Sequence, residues 1–123
     1  MIKTQTFQDL IVWQKAHKLT LEIYKITKQF PKEEVYGLVS QMRRSAVSVS
    51  ANVAEGYKKR GKLDKARFLN ISEGSLNEIK YYLILSKDLN YLGLEHDELN
   101  QLVDEISKLL SAYIRAIYID LKQ

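Results

Sequence analysis

Residues 36–76 read YGLVSQMRRSAVSVSANVAEGYKKRGKLDKARFLNISEGSL, and they contain the strongest indications of the architecture. Two segments rich in small residues lie on either side of a short basic turn, residues 58–67, which holds six Lys and Arg side chains. Small side chains let helix backbones approach closely. The stretch therefore predicts two tightly packed helices whose connection presents positive charge.

Four long helices follow from hydrophobic spacing and from the residues that break helices. Apolar residues recur at spacings of three and four, which is typical of a core-facing helix stripe. Pro31 ends the first segment. We predict helices at about residues 8–29, 34–57, 63–90 and 95–121. Their short connections predict an all-α, antiparallel up-down-up-down four-helix bundle.

Two details of this pattern carry expectations of their own. Residues 45–53, SAVSVSANV, are also compatible with a strand, but the long periodic context favours a helix. Gly74 lies inside the third predicted helix, where glycine costs about 1 kcal/mol relative to alanine. We therefore expect a neighbouring helix to pass close to this glycine.

Composition excludes several classes of protein. The 123 residues are 46% hydrophobic and 28% charged, which fits a single folded domain over residues 1–123. The sequence has no cysteine, so disulfides and thiolate metal sites are excluded. No apolar run is long enough for a membrane span and no signal peptide is recognisable. We expect a cytoplasmic protein without membrane contact.

The charge is divided unevenly along the chain. Through Ser72 there are 14 Lys and Arg against 6 Asp and Glu, whereas from Glu73 onward there are 5 against 9. Such asymmetry favours either a nucleic-acid-binding face or self-association between unlike surfaces.

Neither histidine lies in a recognised catalytic or metal-binding pattern. His17 and His96 lack the glutamate three residues earlier that di-iron bundles use. They also lack the arginine four to six residues earlier that is typical of HEPN nucleases. No phosphate-binding glycine loop is present. We therefore expect no catalytic residue, no metal and no cofactor. The alternative is an unrecognised nuclease that uses His17 or His96.

The basic turn predicts a nucleic-acid interface, because its cations are dense and lie at a helix start. A solvated face, or contact with an acidic protein, is the alternative. Tyr57 and Phe68 offer stacking surfaces for single-stranded RNA, although each also fits a core. The predicted nucleic-acid-binding residues are Arg43, Arg44, Lys58, Lys59, Arg60, Lys62, Lys65 and Arg67.

Polar residues on one side of the second helix predict a structural network, with a functional polar site around Glu55 as the alternative. Glu55 follows Arg44 by 11 residues, which returns it to nearly the same side of the helix. Buried charge is tolerated only when paired, so we expect Glu55 to pair with an arginine between helices. The predicted network comprises Arg44, Ser48, Asn52 and Glu55.

The first helix has a wider apolar surface than a peripheral bundle helix needs. A stripe somewhat over 100° wide suffices for one core contact. The surplus predicts a second buried contact, most simply another subunit, while deep wedging within a monomer is the alternative. The predicted oligomer interface comprises Leu10, Trp13, His17, Leu21 and Tyr24.

Several motifs resemble a known family when taken together. They include FQDL at residues 7–10, VWQKA at 12–16, QMRR at 41–44, NVAEG at 52–56 and GSL at 74–76. In combination they are similar to the four-helix bundle proteins encoded in intervening sequences of bacterial 23S ribosomal RNA genes. That family also includes the accessory variability determinant of diversity-generating retroelements.

The resemblance implies a four-helix bundle that assembles into a ring-like homopentamer. For the retroelement relatives it also implies a positive surface that binds nucleic acid, and a reverse transcriptase partner. We predict a non-catalytic oligomeric scaffold that binds RNA or DNA. The alternative is a protein-interaction adaptor that recruits a partner enzyme such as a reverse transcriptase.

Overall fold

The computed structural model describes residues 4–122, and this part of the chain is helical, without a strand. Residues 45–53 continue a helix rather than forming a strand. The predicted all-α architecture with four helices is confirmed. Its helices are α1 Ile11–Thr27, α2 Ser40–Lys58, α3 Lys62–Asp88 and α4 Glu95–Leu121.

Hydrogen bonds between helices show how neighbours are aligned. Thr20 in α1 donates to the carbonyl oxygen of Ala46 in α2 at 3.0 Å. Thr27, which follows Thr20 in α1, accepts at 3.0 Å from Arg43, which precedes Ala46 in α2. The same reversed order is found in the pairs Ser48–Ser75, Gly56–Lys65, Glu73–Ser111 and Lys80–Asp104. Consecutive helices therefore run in opposite directions, so the α1–α2 connection and the basic turn lie at opposite ends of the bundle.

The core contains the apolar residues that the sequence spacing selects. Each helix turns one stripe of Leu, Ile, Val, Ala or Met inward, and burying one large side chain of this kind stabilises the fold by about 1.5–3 kcal/mol. The most completely buried large residues are Leu19, Ile23, Met42, Val49, Val53, Leu69, Ile79, Leu83, Val103, Ile106 and Leu110.

The first α-helix begins later than predicted because a separate turn precedes it. Phe7–Asp9 form a 3₁₀ turn, and Leu10 is extended, with φ −73° and ψ 128°. Thr6 and Asp9 cap this turn reciprocally, since each side chain accepts a backbone N–H from the other end of the turn. The backbone N–H groups of Gln5 and Thr6 both donate to the Asp9 carboxylate, which lowers the pKa of this carboxyl group. The predicted start at residue 8 is therefore wrong by three residues.

The second predicted helix is divided between a 3₁₀ turn, Lys32–Glu34, a π-helical turn, Val35–Val39, and α2. Gly37 has non-helical dihedral angles, φ −112° and ψ −107°, which breaks the helical register. Val35 precedes Leu38 by three residues, a spacing typical of a core stripe, yet it is 47% exposed in this broken segment.

Close approach between helices occurs at Gly56 and not at the predicted Gly74. A Cβ on Gly56 would lie 3.3 Å from both the Lys65 carbonyl oxygen and Leu69 Cγ. Gly74 is exposed, and among the residues that the structure describes a Cβ there would meet no atom of a neighbouring helix within 4 Å. The expectation for Gly74 is wrong because this glycine lies on the outer side of α3.

The last two helices follow the prediction closely. α3 spans Lys62–Asp88, against the predicted 63–90, and α4 spans Glu95–Leu121 as predicted. Among the helices in residues 4–122, none combines the length and apolar character needed to cross a membrane.

Candidate nucleic-acid interface

The basic turn leaves two cations uncommitted at the junction of α2 and α3. The backbone is extended at Lys59, with φ −68° and ψ 139°, and at Gly61, with φ −75° and ψ 134°. Lys58 and Arg60 are exposed, and neither joins an ion pair with any residue from 4 to 122. Their charges are therefore available to an external anion.

Lys65 is committed to the end of α2. Its Nζ donates to the carbonyl oxygens of Gly56 at 3.0 Å and Tyr57 at 2.8 Å, and lies 5.4 Å from the centre of the Tyr57 ring. Carbonyl groups in the last turn of a helix have no helical partner, so the ammonium caps them. Partial burial lowers the pKa of Lys65. The main role of Lys65 is therefore to stabilise the turn rather than to bind a ligand.

The Phe68 ring is covered by two cations of the turn. Lys59 Nζ lies 4.8 Å from the ring centre, and the Arg67 guanidinium lies 5.2 Å from it. Arg67 also donates to Asp64 at 2.8 Å, and Lys59 lies 4.0 Å from Glu55. These contacts occupy the surface of the Phe68 ring that base stacking would need.

Lys62 connects the turn to the end of the chain. Its ammonium forms an ion pair with Asp120 near the end of α4. Both side chains are about half exposed, so solvent screens the pair and its contribution to stability is small. The sequence did not identify Asp120, because the pairing depends on the end of α4 returning to this end of the bundle.

Arg43 and Arg44 do not join the basic turn. Lys58 follows Arg44 by fourteen positions in α2, which corresponds to about 21 Å along a helix axis. Arg43 is held against α1, where its Nε donates to Thr27 Oγ1 at 3.0 Å and its guanidinium lies 4.7 Å from the centre of the Tyr24 ring. The eight predicted nucleic-acid-binding residues therefore form two groups at opposite ends.

Part of the predicted polar network links α2 to α3. Ser48 Oγ lies 2.8 Å from Ser75 Oγ, and Asn52 Nδ2 donates to the Ser48 carbonyl oxygen at 2.8 Å. Ser72, which the sequence did not single out, is fully buried and donates to the Val49 carbonyl oxygen at 2.9 Å. Small hydroxyl side chains therefore join these two helices.

Arg44 and Glu55 do not belong to that network. Both are exposed, and Glu55 lies beside Lys59 rather than beside an arginine. The prediction failed because eleven residues return the chain to the same side of a helix but advance it by about 16 Å. Lying on the same side of α2 therefore does not bring Arg44 and Glu55 into contact.

The predicted oligomer face is partly packed within the chain and partly open. Trp13 packs edge-on against Phe7 at 5.1 Å and stacks on His17 at 4.9 Å, measured between ring centres. Leu21 is 57% exposed and Tyr24 is 40% exposed. Leu10 is partly buried against the core. Within the predicted face, the open apolar surface is thus formed by Leu21 and Tyr24.

A family model for the 23S rRNA-intervening sequence protein matches residues 8–112. The chain belongs to the 23S rRNA-intervening sequence protein family. One solved structure, from Bacteroides thetaiotaomicron, matches with a TM-score of 0.79 and 27% identity over 85% of this chain and 96% of that chain. That structure is described as a protein with unknown function from the S23 ribosomal protein family. No curated protein matches the chain.

Family membership supports the resemblance found in the motifs and identifies no catalytic class. Within residues 4–122, His, Asp and Glu side chains do not gather in a group that would hold a metal ion. His17 stacks on Trp13, and His96 lies 3.4 Å from Asp97. The contact of His17 is aromatic packing, and the contact of His96 joins it to the carboxylate of the next residue in sequence.

Sequence reasoning missed one exposed aromatic residue beside the second basic group. Tyr36 is 97% exposed in the π-helical turn that leads into α2. The sequence does contain a signal for this exposed ring. Tyr36 lies directly before Gly37 and shortly after Pro31, which ends the first helix. The periodic pattern concealed this signal by extending a helix through the segment.

Proposed function

We propose that this protein is a non-catalytic, homo-oligomeric scaffold, a homopentamer, that binds RNA or DNA through the basic turn. The observation that carries the proposal is the pair of exposed cations, Lys58 and Arg60, which have no acidic partner in residues 4–122. Phosphate groups would be bound mainly by charge, without base-specific contacts.

The start of α3 supports anion binding at the same place. Gly61 is its N-terminal cap, and no side chain among residues 4–122 caps the first backbone N–H groups. Those groups carry the positive end of the helix dipole. They supplement the charges of Lys58 and Arg60, which lie in the residues immediately before the helix.

Self-association would multiply this weak site. The exposed apolar side chains of α1, Leu21 and Tyr24, provide a surface that a second subunit would cover. Several basic turns on one particle would bind a polyanion with avidity that a single turn cannot reach. The assembly is therefore part of the proposed mechanism of binding.

The test is a double neutralisation with a matched control. K58Q/R60Q removes the two uncommitted charges, while K87Q/K108Q removes equal charge from exposed positions on α3 and α4. Each lost phosphate contact lowers the slope of log affinity against log salt by about 1. We expect K58Q/R60Q to lower the slope by about 2 for each subunit in contact, and the control to leave it unchanged.

Equal slopes for the two variants would contradict the assignment to the basic turn. Absence of nucleic-acid binding by an intact multimer would instead favour the adaptor. In that case the basic turn would face an acidic protein surface, such as one on a reverse transcriptase, and the particle would recruit that enzyme.

A further inference from the structure

A second basic group surrounds a groove at the end of the bundle opposite the basic turn. The groove has a volume of about 510 Å³ and lies between the end of α1, the π-helical turn and the start of α2. Its lining combines aromatic rings with cations, and none of the lining residues is acidic. The residues that matter here are Phe30, Tyr36, Lys28, Lys32, Arg43 and Arg44.

Tyr36 is held at the edge of this groove with its ring in solvent. It is 97% exposed, and the π-helical turn around it is anchored through Glu34. The Glu34 carboxylate accepts a hydrogen bond of 2.9 Å from the Tyr91 hydroxyl and one of 3.5 Å from the Leu38 backbone N–H. Because the turn is anchored and the Tyr36 ring is exposed, this ring is well placed to contact a ligand.

The cations around the groove are largely uncommitted. Arg44, Lys28 and Lys32 are exposed and take part in no ion pair within the described range 4–122. Arg43 differs, because it is bound to Thr27 and covers the ring of Tyr24. Three positive charges therefore face an anion that enters beside Tyr36.

The two ends of the bundle differ in what they offer a base. At the basic turn, Lys65 approaches the Tyr57 ring, and Lys59 and Arg67 cover Phe68. At the groove, the Tyr36 ring is open. Base–aromatic stacking requires an open ring and an unpaired base. The groove has the features for both stacking and phosphate contact, whereas the turn offers mainly charge.

We infer that this groove binds an unpaired nucleotide of a single strand, with the base stacked on Tyr36 and the phosphates contacted by Arg44, Lys28 and Lys32. The inference rests on the proposed function and specifies its substrate class. Single-stranded RNA or DNA is bound in preference to duplex, because paired bases present no free face to Tyr36. Phosphates of either form still reach the basic turn.

The experiment compares two labelled deoxyadenylate 12-mers, one intact and one with abasic sites replacing its central bases. The intact protein binds the intact strand more tightly, and Tyr36→Ala removes that preference. Stacking of one base corresponds to a difference of roughly 5- to 150-fold in affinity. Tyr81→Ala, at another exposed tyrosine on α3, retains the preference. Both substitutions leave the helical content unchanged, because both rings are exposed.

The outcomes separate this inference from the proposed function. If the wild-type protein binds intact strand, abasic strand and a matching duplex equally, the groove inference is overturned while binding through the basic turn stands. A preference that persists in Tyr36→Ala also overturns it. If no strand or duplex binds at low salt, both proposals fail, and an acidic protein segment becomes the better occupant of the groove.

Discussion

Lys65 Nζ lies 2.8 Å from the carbonyl oxygen of Tyr57, so a cation in the first turn of α3 caps the end of α2. One residue of the basic turn therefore maintains the geometry in which its neighbours are presented. The turn combines a structural cation with cations left exposed to solvent. The stability of the turn and its binding of a ligand therefore depend on different residues.

Lys65→Met should destabilise the protein by about 1–2 kcal/mol, because it removes two charge-assisted hydrogen bonds to helix-end carbonyl groups. Lys58→Met is the matched control, and we expect it to change the free energy of unfolding by less than about 0.5 kcal/mol. Urea unfolding at one protein concentration measures both. Equal effects of the two substitutions would show that Lys65 does not act as a cap.

Gly56→Ala and Gly74→Ala should change stability in opposite directions. At Gly56 the new Cβ meets the Lys65 backbone oxygen at 3.3 Å, and such overpacking costs about 1–3 kcal/mol. At Gly74 the space is open, so alanine should stabilise α3 by about 0.5–1 kcal/mol. Thermal unfolding of both variants gives the sign. A stabilising Gly56→Ala would contradict the packing described for Gly56, and a destabilising Gly74→Ala would contradict the open space at Gly74.

The exposed part of α1 should control assembly. Leu21→Glu places a charge on the open apolar surface, so the proposed contact between subunits should be lost while helical content is retained. Sedimentation or light scattering would then report smaller particles than the wild type. Ile84→Glu, at an exposed apolar residue of α3, is the control and should leave the mass unchanged. An unchanged mass for Leu21→Glu would exclude this face as the interface.

The Lys15–Glu105 pair should make stability depend on pH in acid. Lys15 donates to Glu105 at 2.7 Å and holds the pKa of Glu105 below its usual range, with smaller contributions from Lys18 and Lys108. A lowered pKa in the folded state stabilises the protein above the ordinary carboxyl pKa of about 4.3, and this stabilisation disappears as the pH falls through the folded pKa.

Lys15→Met removes most of that effect. The stability difference between wild type and Lys15→Met should therefore be largest near neutral pH and should shrink below about pH 4.3. Denaturant unfolding at a series of pH values measures this difference. A difference that does not change with pH would show that the ion pair does not contribute to folding.

The fold was predictable because long periodic stripes and helix-breaking residues act locally. Leu69 and Ile106 are buried as their spacing indicates. The errors arose where one residue redirected the backbone without changing the pattern, as at Gly37. The sequence pattern also does not show on which side of a helix a glycine lies. For this reason it predicted a contact with a neighbouring helix at Gly74, which is exposed.

The candidate site was less predictable, because its properties depend on partners distant in sequence. The density of cations identified the basic turn. However, the pairing of Lys62 with Asp120 and the cap formed by Lys65 depend on how the helix ends meet. Sequence proximity also grouped Arg44 with Lys58, although a straight helix separates them by about 21 Å.

The most direct test of the scaffold proposal is a titration of labelled RNA, and of DNA of the same sequence, with the purified protein at 50 and 200 mM salt. Particle mass is recorded on the same sample. We expect binding by a multimer that weakens roughly tenfold or more over this range, since two phosphate contacts alone account for that change. An intact multimer that binds neither nucleic acid at the lower salt would contradict the proposal.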